Sequence, residues 1–182
     1  MSHDIGSTHI PVLVALGLTR PIRRVLELGA GLYSTPTFLN RKVFPTLENL
    51  VSFEDNPEWA MKVSNACSDE RLTLVSEFPN LEKPYDLIFV DNATDLSIRA
   101  ATIRKVCDEV RDTLVVIHDA EDVNYIPEIN RFEWDVTIKT YAKWTALAFN
   151  GGIDPVTVTF RKIESNLHLA PTDIDGWLEV LR

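Results

Sequence analysis

Residues 25–35 read Val-Leu-Glu-Leu-Gly-Ala-Gly-Leu-Tyr-Ser-Thr, and this stretch decides the fold. Its first four residues are apolar except for one glutamate, a composition typical of a short strand buried in a sheet. Gly29 and Gly31 permit a tight turn, and Ser34 or Thr35 can open a helix directly afterwards. A strand, a glycine turn and a helix in this order offer free N–H groups to an anion, although the same turn also serves plain packing.

Alternating strands and helices continue on both sides of this turn. The further predicted strands cover residues 50–53, 72–75, 85–90 and 113–117. The further predicted helices cover residues 8–18, 57–66, 95–110 and 123–131, the first of them capped by Ser7 or Thr8. Residues 76–84 are predicted to be a loop, and the β-rich runs 135–141 and 144–149 predict an antiparallel hairpin.

This order of elements predicts one α/β domain over residues 1–182, doubly wound around a mostly parallel sheet that ends in the antiparallel hairpin. Its core spans about residues 22–150. An extension over residues 151–182 should hold an edge strand at 156–160 and a terminal helix ending near 181. Because ligands of such sheets bind beyond the carboxyl ends of the strands, the functional residues should cluster there.

The composition of the chain and its N-terminal pattern argue against certain kinds of binding partner and cellular compartment. The net charge of -9 argues against nucleic-acid binding, because phosphate affinity comes mainly from Lys and Arg. The apolar stretch 10–18 is too short to span a membrane, and the N-terminus lacks the basic region of a signal peptide. Cys67 and Cys107 match no metal or redox spacing. We therefore expect a cytoplasmic protein with no membrane or nucleic-acid partner.

Carboxylates follow or interrupt several of the predicted strands. Glu27 lies inside an otherwise apolar strand, where an unpaired carboxylate is costly and a partner is implied. Glu54 and Asp55 end the second strand, beside the glycine turn, where the ribose hydroxyls of an adenosine cofactor would be held. Asp91 and Asp119 end the fourth and fifth strands. All five carboxylates should face one crevice.

These segments together resemble the class I S-adenosylmethionine-dependent methyltransferases. Residues 25–35 are similar to motif I of that family, in the subset that has Ser-Thr where dinucleotide enzymes keep a third glycine. Residues 51–59 resemble the second motif of the subset, and residues 85–91 resemble its fourth-strand motif. The resemblance implies a Rossmann-like fold, S-adenosylmethionine as cofactor and methyl transfer as activity.

The resemblance also implies how the first motif holds the methionine end of the cofactor. Glu27 would receive the ammonium group, directly or through water. Gly29 and Gly31 would lie against the cofactor, and Ser34 or Thr35 would meet its carboxylate.

The ribose and adenine would be held by residues after the second and third strands. Glu54 would take the two ribose hydroxyls, with Asp55 beside it. Asn56 and the backbone near Phe78 would border the adenine, and Glu77 would accept from its amino group.

The reacting centre is predicted at the ends of strands four and five. Asp91 is expected to border both the cofactor and the acceptor, and His118 or Asp119 is the candidate base, unless His118 simply bonds a backbone carbonyl. Asp91 and Asp119 also resemble two metal-ligating carboxylates of the catechol-type O-methyltransferases. The third ligand there is an Asn, where this chain has Ala120, and although Glu121 or Asp122 could substitute, the favoured expectation is that no metal is bound. Base catalysis, a divalent cation and simple proximity stay open as alternatives.

Two other classes of function compete with an active methyltransferase. A regulatory protein that binds S-adenosylmethionine or S-adenosylhomocysteine without turnover would show the same motifs. An NAD-dependent oxidoreductase is disfavoured, because Ser34 replaces the third glycine and no tyrosine has a lysine four residues on. For the enzyme, we expect a small-molecule or peptide acceptor methylated on oxygen or nitrogen. Trp177, Leu178 and Leu181 look exposed on the last helix and suggest a homodimer.

Overall fold

The computed structural model describes residues 7–93, 95–139 and 143–151. The helices are α1 (Ile10–Thr19), α2 (Ser34–Leu39), α3 (Pro57–Ala66), α4 (Leu96–Glu109) and α5 (Ile126–Ile129). The strands are β1 (Arg24–Leu28), β2 (Asn49–Phe53), β3 (Leu72–Val75), β4 (Leu87–Val90), β5 (Leu114–His118), β6 (Trp134–Lys139) and β7 (Trp144–Phe149). The predicted strand at 156–160, the terminal helix and its Trp177, Leu178 and Leu181 lie outside the described residues.

The seven strands form one sheet in the order β3-β2-β1-β4-β5-β7-β6. The first five run parallel, whereas β7 is antiparallel to β5 and β6 is antiparallel to β7. Strand order reverses between β1 and β4, where ligands of doubly wound sheets bind. The predicted α/β class, the parallel sheet and the closing hairpin are confirmed.

Helices cover both faces of the sheet, because the inner strands are apolar on both sides. Every residue of β4 is buried. One face packs against α1 and α2 around Phe38 and Phe89, and the other packs against α4 and α5 around Ile103 and Tyr125. Helix α1 is buried along nearly its whole length, as expected for a helix that is apolar on all sides. No described helix combines the length and apolarity needed to cross a bilayer.

Side chains cap two of the five described helices, α3 and α4. The Asn56 side chain accepts from the N–H groups of Glu58 and Trp59 at the start of α3. The prediction that Ser7 or Thr8 caps α1 is wrong. His9 is the N-cap residue and its side chain makes no capping bond. The Thr8 hydroxyl instead lies 3.0 Å from Nε2 of His118, 110 residues away, so a tertiary contact replaces the local one.

Candidate functional site

A cavity of about 720 Å³ opens at the carboxyl ends of β1, β2 and β4. This is within the usual size range of small-molecule sites. The residues on its wall come from the glycine turn, from the segment after β2, from the segment after β4 with the start of α4, and from the residue before α1. They are His9, Gly29, Ala30, Gly31, Leu32, Tyr33, Ser34, Glu54, Asp55, Asn56, Trp59, Asp91, Ala93, Asp95, Ile98 and Arg99.

The glycine turn is shaped by its contact with the chain that follows β4. Gly29 has a φ of 98°, in the region that favours glycine. A Cβ added there would lie 2.5 Å from the carbonyl oxygen of Asp91. The N–H groups of Gly29 and Ala30 both donate to the Phe53 carbonyl, at 3.0 Å each. The turn is therefore fixed by β2 and β4 before any ligand is bound.

Glu27 is fully buried, and only one of its two carboxylate oxygens has hydrogen-bond partners among the described residues. Its Oε2 accepts hydrogen bonds from the hydroxyls of Thr35, at 2.7 Å, and Ser52, at 2.5 Å. Its Oε1 has no hydrogen-bond partner among the described residues. Burial raises the pKa of Glu27 to about 7, against the nearby hydroxyls of Ser34, Ser52 and Thr35, which lower it. A carboxyl group with a free buried oxygen is suited to receive a cation.

The raised pKa of Glu27 predicts a specific pH dependence of stability. Because the folded protein keeps this proton up to about pH 7, whereas the group titrates near 4.5 when unfolded, Glu27 destabilises the fold progressively as pH rises from 4.5 to 7. The full cost above pH 7 is about 3 kcal/mol. Glu27→Gln stays neutral, so its stability relative to the wild-type protein should increase across this window. Urea unfolding at several pH values measures the difference.

Taking the difference between the two proteins removes the contributions of other titrating groups. Glu48→Gln, at the exposed salt bridge with Arg23, is a matched control for the loss of one carboxylate. Parallel stability profiles for Glu27→Gln and the wild-type protein would show that Glu27 titrates as it does in the unfolded chain.

Ser34 and Thr35 take different positions at the start of α2. Ser34 lines the cavity, and its hydroxyl is also near Glu27. Thr35 is not on the wall, and its hydroxyl donates to Glu27 and accepts from the Gly31 N–H at 3.1 Å. Of the two alternatives for contact with a ligand, Ser34 is therefore the one on the wall.

The segment after β2 presents Glu54, Asp55 and Asn56 to the cavity. The Asn56 N–H donates to Oε1 of Glu54 at 2.9 Å, which orients that carboxylate. Partial burial raises the pKa of Glu54, and the Asn56 N–H opposes the rise. The Trp59 indole donates to the Ala30 carbonyl at 2.7 Å and ties α3 to the glycine turn.

Glu77 and Phe78 do not lie on the wall of this cavity. Both line a separate shallow groove along β3, where the Phe78 ring packs 5.5 Å from that of Phe53. A second groove joins Phe78 to Ile98, which borders the main cavity. The wall of the cavity therefore includes most of the residues expected at the methionine and ribose ends, but not the buried Glu27 and Thr35. Of the residues expected at the adenine, Asn56 lies on the wall, whereas Glu77 and Phe78 lie in the neighbouring grooves.

His118 and Asp119 are not on the cavity wall, whereas Asp91 is. His118 contacts Asp91 directly, and Asp119 shares the Arg99 guanidinium with it. His118 is 3% exposed, and its Nδ1 lies 3.2 Å from Oδ1 of Asp91. Its two ring nitrogens contact Asp91 and Thr8, not a backbone carbonyl. Burial alone would raise the pKa of Asp91, but the bond with His118 and the charge of Arg99 hold that pKa below its usual value. His118 can therefore orient Asp91 but does not itself reach the cavity.

Arg99 is a central residue of the site that the sequence interpretation missed. Its Nη1 lies 2.9 Å from both Asp91 and Asp119, and its other donors bond the carbonyls of Asn92 and Ala93. Ala93 and Asp119 have φ values of 59° and 58°, so Arg99 holds two segments with left-handed backbone. The available signal was an arginine on the buried face of a predicted helix, four residues before Ile103.

His9 is a second residue of the site that the sequence did not predict. It lies on the cavity wall and is 1% exposed, with its ring 4.9 Å from Phe89 and 4.7 Å from His118. Burial and the neighbouring His118 lower its pKa to about 3, against the opposing effect of Asp91. Nothing in the local sequence could place His9 here, because its position depends on how α1 packs across the sheet.

Comparisons with known proteins find similarity at the level of structure. No family model and no curated protein matches the chain. Human methyltransferase-like protein 13, solved in complex with SAH, is 13% identical with a TM-score of 0.59, over 94% of each chain. A spermidine synthase in complex with the transition-state analogue AdoDATO is 14% identical with a TM-score of 0.62, over 87% of this chain and 66% of that one.

A third similar structure is from Clostridium thermocellum and is described as an rRNA methylase. It is 11% identical with a TM-score of 0.53, over 84% of this chain and 99% of that one. At these identities the shared property is the fold, which serves more than one reaction. The sheet order, the hairpin and these similarities show that the chain has the fold of the class I S-adenosylmethionine-dependent methyltransferases.

Proposed function

We propose that this protein binds S-adenosylmethionine in the 720 Å³ cavity and transfers its methyl group to a small-molecule or peptide acceptor, on oxygen or nitrogen. The observation that carries the proposal is Glu27. A fully buried carboxyl group with one unpartnered oxygen among the described residues, two positions before the glycine turn, is matched to the ammonium group of the cofactor's methionine. Binding that cation would offset the cost of burying the charged form of Glu27.

The other end of the cofactor would meet the segment after β2. Glu54 is oriented by the Asn56 N–H, and its free carboxylate oxygen is suited to accept from ribose hydroxyls. Ser34 and the backbone of the glycine turn would border the middle of the cofactor. These contacts support S-adenosylmethionine over NAD, because a dinucleotide has no ammonium group for Glu27.

The acceptor would enter between the start of α4 and the residue before α1. Ile98 is 53% exposed and Leu32 is 40% exposed, and both border the cavity, so they offer apolar contact to a small acceptor. Four acidic side chains lie on the wall, at Glu54, Asp55, Asp91 and Asp95. This acidic wall and the net charge of -9 favour a neutral or cationic acceptor over nucleic acid.

Methyl transfer is an in-line displacement in which the acceptor forms a bond to the methyl carbon while the bond from that carbon to sulfur breaks. The sulfonium becomes the neutral thioether of S-adenosylhomocysteine, and the acceptor loses a proton to solvent or to a nearby base. Positioning alone supplies roughly 7–11 kcal/mol in well-oriented systems. Asp91, held by His118 and Arg99, is placed to orient the acceptor's proton-bearing group.

Production of S-adenosylhomocysteine tests this proposal. Purified protein is incubated with S-adenosylmethionine and pools of hydroxyl compounds, amines, short peptides and RNA, and the product is measured by mass spectrometry. We expect acceptor-dependent product with one of the first three pools, and loss of that product in Asp91→Asn. Product with RNA alone would overturn the small-molecule or peptide assignment.

A binding protein without turnover is the second candidate. The observation that favours it is the position of His118, the expected base, off the cavity wall with both ring nitrogens occupied. Tight binding of S-adenosylhomocysteine with no acceptor-dependent product across all pools would favour this function over the enzyme.

A further inference from the structure

We propose that His9, Asp91 and His118 form a binding site for a transition-metal cation of the zinc class at the wall of the cavity. Each residue offers one ligand atom, and the three atoms lie within 4.8 Å of one another. They come from three distant parts of the chain: the residue before α1, the residue after β4 and the last residue of β5. The fold alone therefore assembles the cluster, and the inference does not depend on the identity of the cofactor.

The kinds of donor atom select the kind of cation. Two imidazole nitrogens and one carboxylate oxygen suit Zn²⁺, Fe²⁺ or Co²⁺, whereas Mg²⁺ prefers oxygen ligands and retains waters. The set of two histidines and one aspartate differs from the pair of carboxylates, Asp91 and Asp119, that the resemblance to catechol-type enzymes suggested. Asp119 is bonded to Arg99 at 2.9 Å and lies 3.5 Å from Lys143, so two cations already face it.

His9 provides an independent observation that points to a ligand. Its side chain is 1% exposed, and neither ring nitrogen has a hydrogen-bond partner within residues 7–93, 95–139 and 143–151. Buried polar groups are nearly always paired, so a buried imidazole with two unpaired nitrogens requires an explanation. A bond from one of these nitrogens to a metal cation, beside Asp91 and His118, supplies it.

The neighbouring contacts allow the site to close around a cation. Zinc bonds of 2.0–2.1 Å place tetrahedral ligand atoms about 3.3 Å apart, so the three side chains must approach by roughly 1.5 Å at most. His118 would give Nδ1, which faces Asp91, to the metal, and its Nε2 would keep Thr8 as an outer partner. Arg99 would continue to hold the Asp91 carboxylate at 2.9 Å.

Because His9 and Asp91 both border the cavity, the remaining coordination position would face the acceptor. A cation there would supply a Lewis acid beside the bound cofactor. If the protein has the proposed function, the class of acceptor that fits is one with a hydroxyl oxygen near the methylated atom.

Metal binding is measured directly, without turnover. The protein is treated with a chelator, dialysed and titrated with Co²⁺ while the visible absorption of nitrogen-ligated Co²⁺ is recorded, and Zn²⁺ is then added in competition. We expect one equivalent of Co²⁺ to bind and one equivalent of Zn²⁺ to displace it. No absorption change, or binding only of many weak equivalents, would overturn the proposal.

The assignment of ligands is tested on the wild-type protein and on variants. The chain has four histidines, and ¹⁵N imidazole spectra should show two of them shifting together with one equivalent of Zn²⁺. His9→Gln and His118→Gln should each weaken Co²⁺ affinity by more than about tenfold, which is the loss that even an outer-shell substitution produces. Glu48→Gln, at the exposed salt bridge with Arg23, should retain the affinity and is the matched control.

The experiments distinguish failure of the proposed metal site from failure of the proposed cofactor binding. Loss of Co²⁺ binding in Asp119→Asn with retention in His9→Gln would place the cation on the two carboxylates and overturn the imidazole site. If a histidine variant does not fold, the imidazole spectra of the wild-type protein still decide the question. Titration with S-adenosylhomocysteine in the presence of chelator reports on the cofactor separately, so either result can fail alone.

Discussion

Replacing Gly29 by alanine should lower the free energy of unfolding by about 2–5 kcal/mol. The new Cβ would lie 2.5 Å from the Asp91 carbonyl oxygen and 2.7 Å from the Asn92 nitrogen, both backbone atoms that cannot rotate away. The φ of 98° adds a penalty for any residue with a Cβ. Overpacking costs about 1–3 kcal/mol and left-handed backbone about 1–2 kcal/mol, which together give the expected range. Urea unfolding monitored by circular dichroism measures it.

Gly31→Ala is the matched control for this substitution. Its Cβ would meet the Ser34 hydroxyl at 2.5 Å, and a hydroxyl can turn aside more easily than backbone. The loss should therefore be smaller, about 1 kcal/mol. Equal losses for the two alanine variants would contradict the conclusion that Gly29 is required by the packing of the glycine turn against the end of β4.

Replacing Glu54 by alanine should weaken binding of S-adenosylhomocysteine by about a hundredfold or more. Each hydrogen bond to a charged group contributes about 1.5–3 kcal/mol, and the proposed contact with ribose makes two of them. The folded structure should change little, since within the described part of the chain the Glu54 side chain accepts a hydrogen bond only from the Asn56 N–H. Isothermal titration calorimetry of the two proteins gives the ratio.

Glu48→Ala is the control for this loss of a carboxylate. Glu48 immediately precedes β2, at the opposite end of the strand from Glu54, and it forms an exposed salt bridge with Arg23. The affinity of the Glu48→Ala variant for S-adenosylhomocysteine should equal that of the wild-type protein. An unchanged affinity in Glu54→Ala would show that the ribose lies elsewhere in the cavity.

The parts of the fold that depend on local patterns could be predicted from the sequence. Strands β1 to β5 are apolar runs bounded by polar turns, so their order and direction follow from alternation with helices. Asn56 and Pro57 mark the start of α3 through local capping geometry, which is set within four residues. The hairpin β6–β7 follows from two β-rich runs joined by a short connection.

The parts of the site that depend on packing between distant elements could not be predicted. His9 reaches the cavity only because α1 lies across the sheet, next to Phe89 of β4. The local sequence predicts only that Arg99 is a helix residue, because its ion-pair partners Asp91 and Asp119 come from the ends of β4 and β5. The inward turn of His118 depends on Thr8, 110 residues earlier in the chain. Strand-end position predicts that Asp91, His118 and Asp119 are neighbours, but not that Asp91 alone of the three lines the cavity.

The identity of the cofactor is the central claim, and calorimetric titration of the wild-type protein with S-adenosylhomocysteine and, separately, with NAD tests it most directly. We predict one equivalent of S-adenosylhomocysteine bound per chain and no measurable heat of binding with NAD. At a hundred times its dissociation constant, S-adenosylhomocysteine should also stabilise the fold by about 2.7 kcal/mol. Binding of NAD, or no binding of S-adenosylhomocysteine at saturating concentration, would contradict the claim.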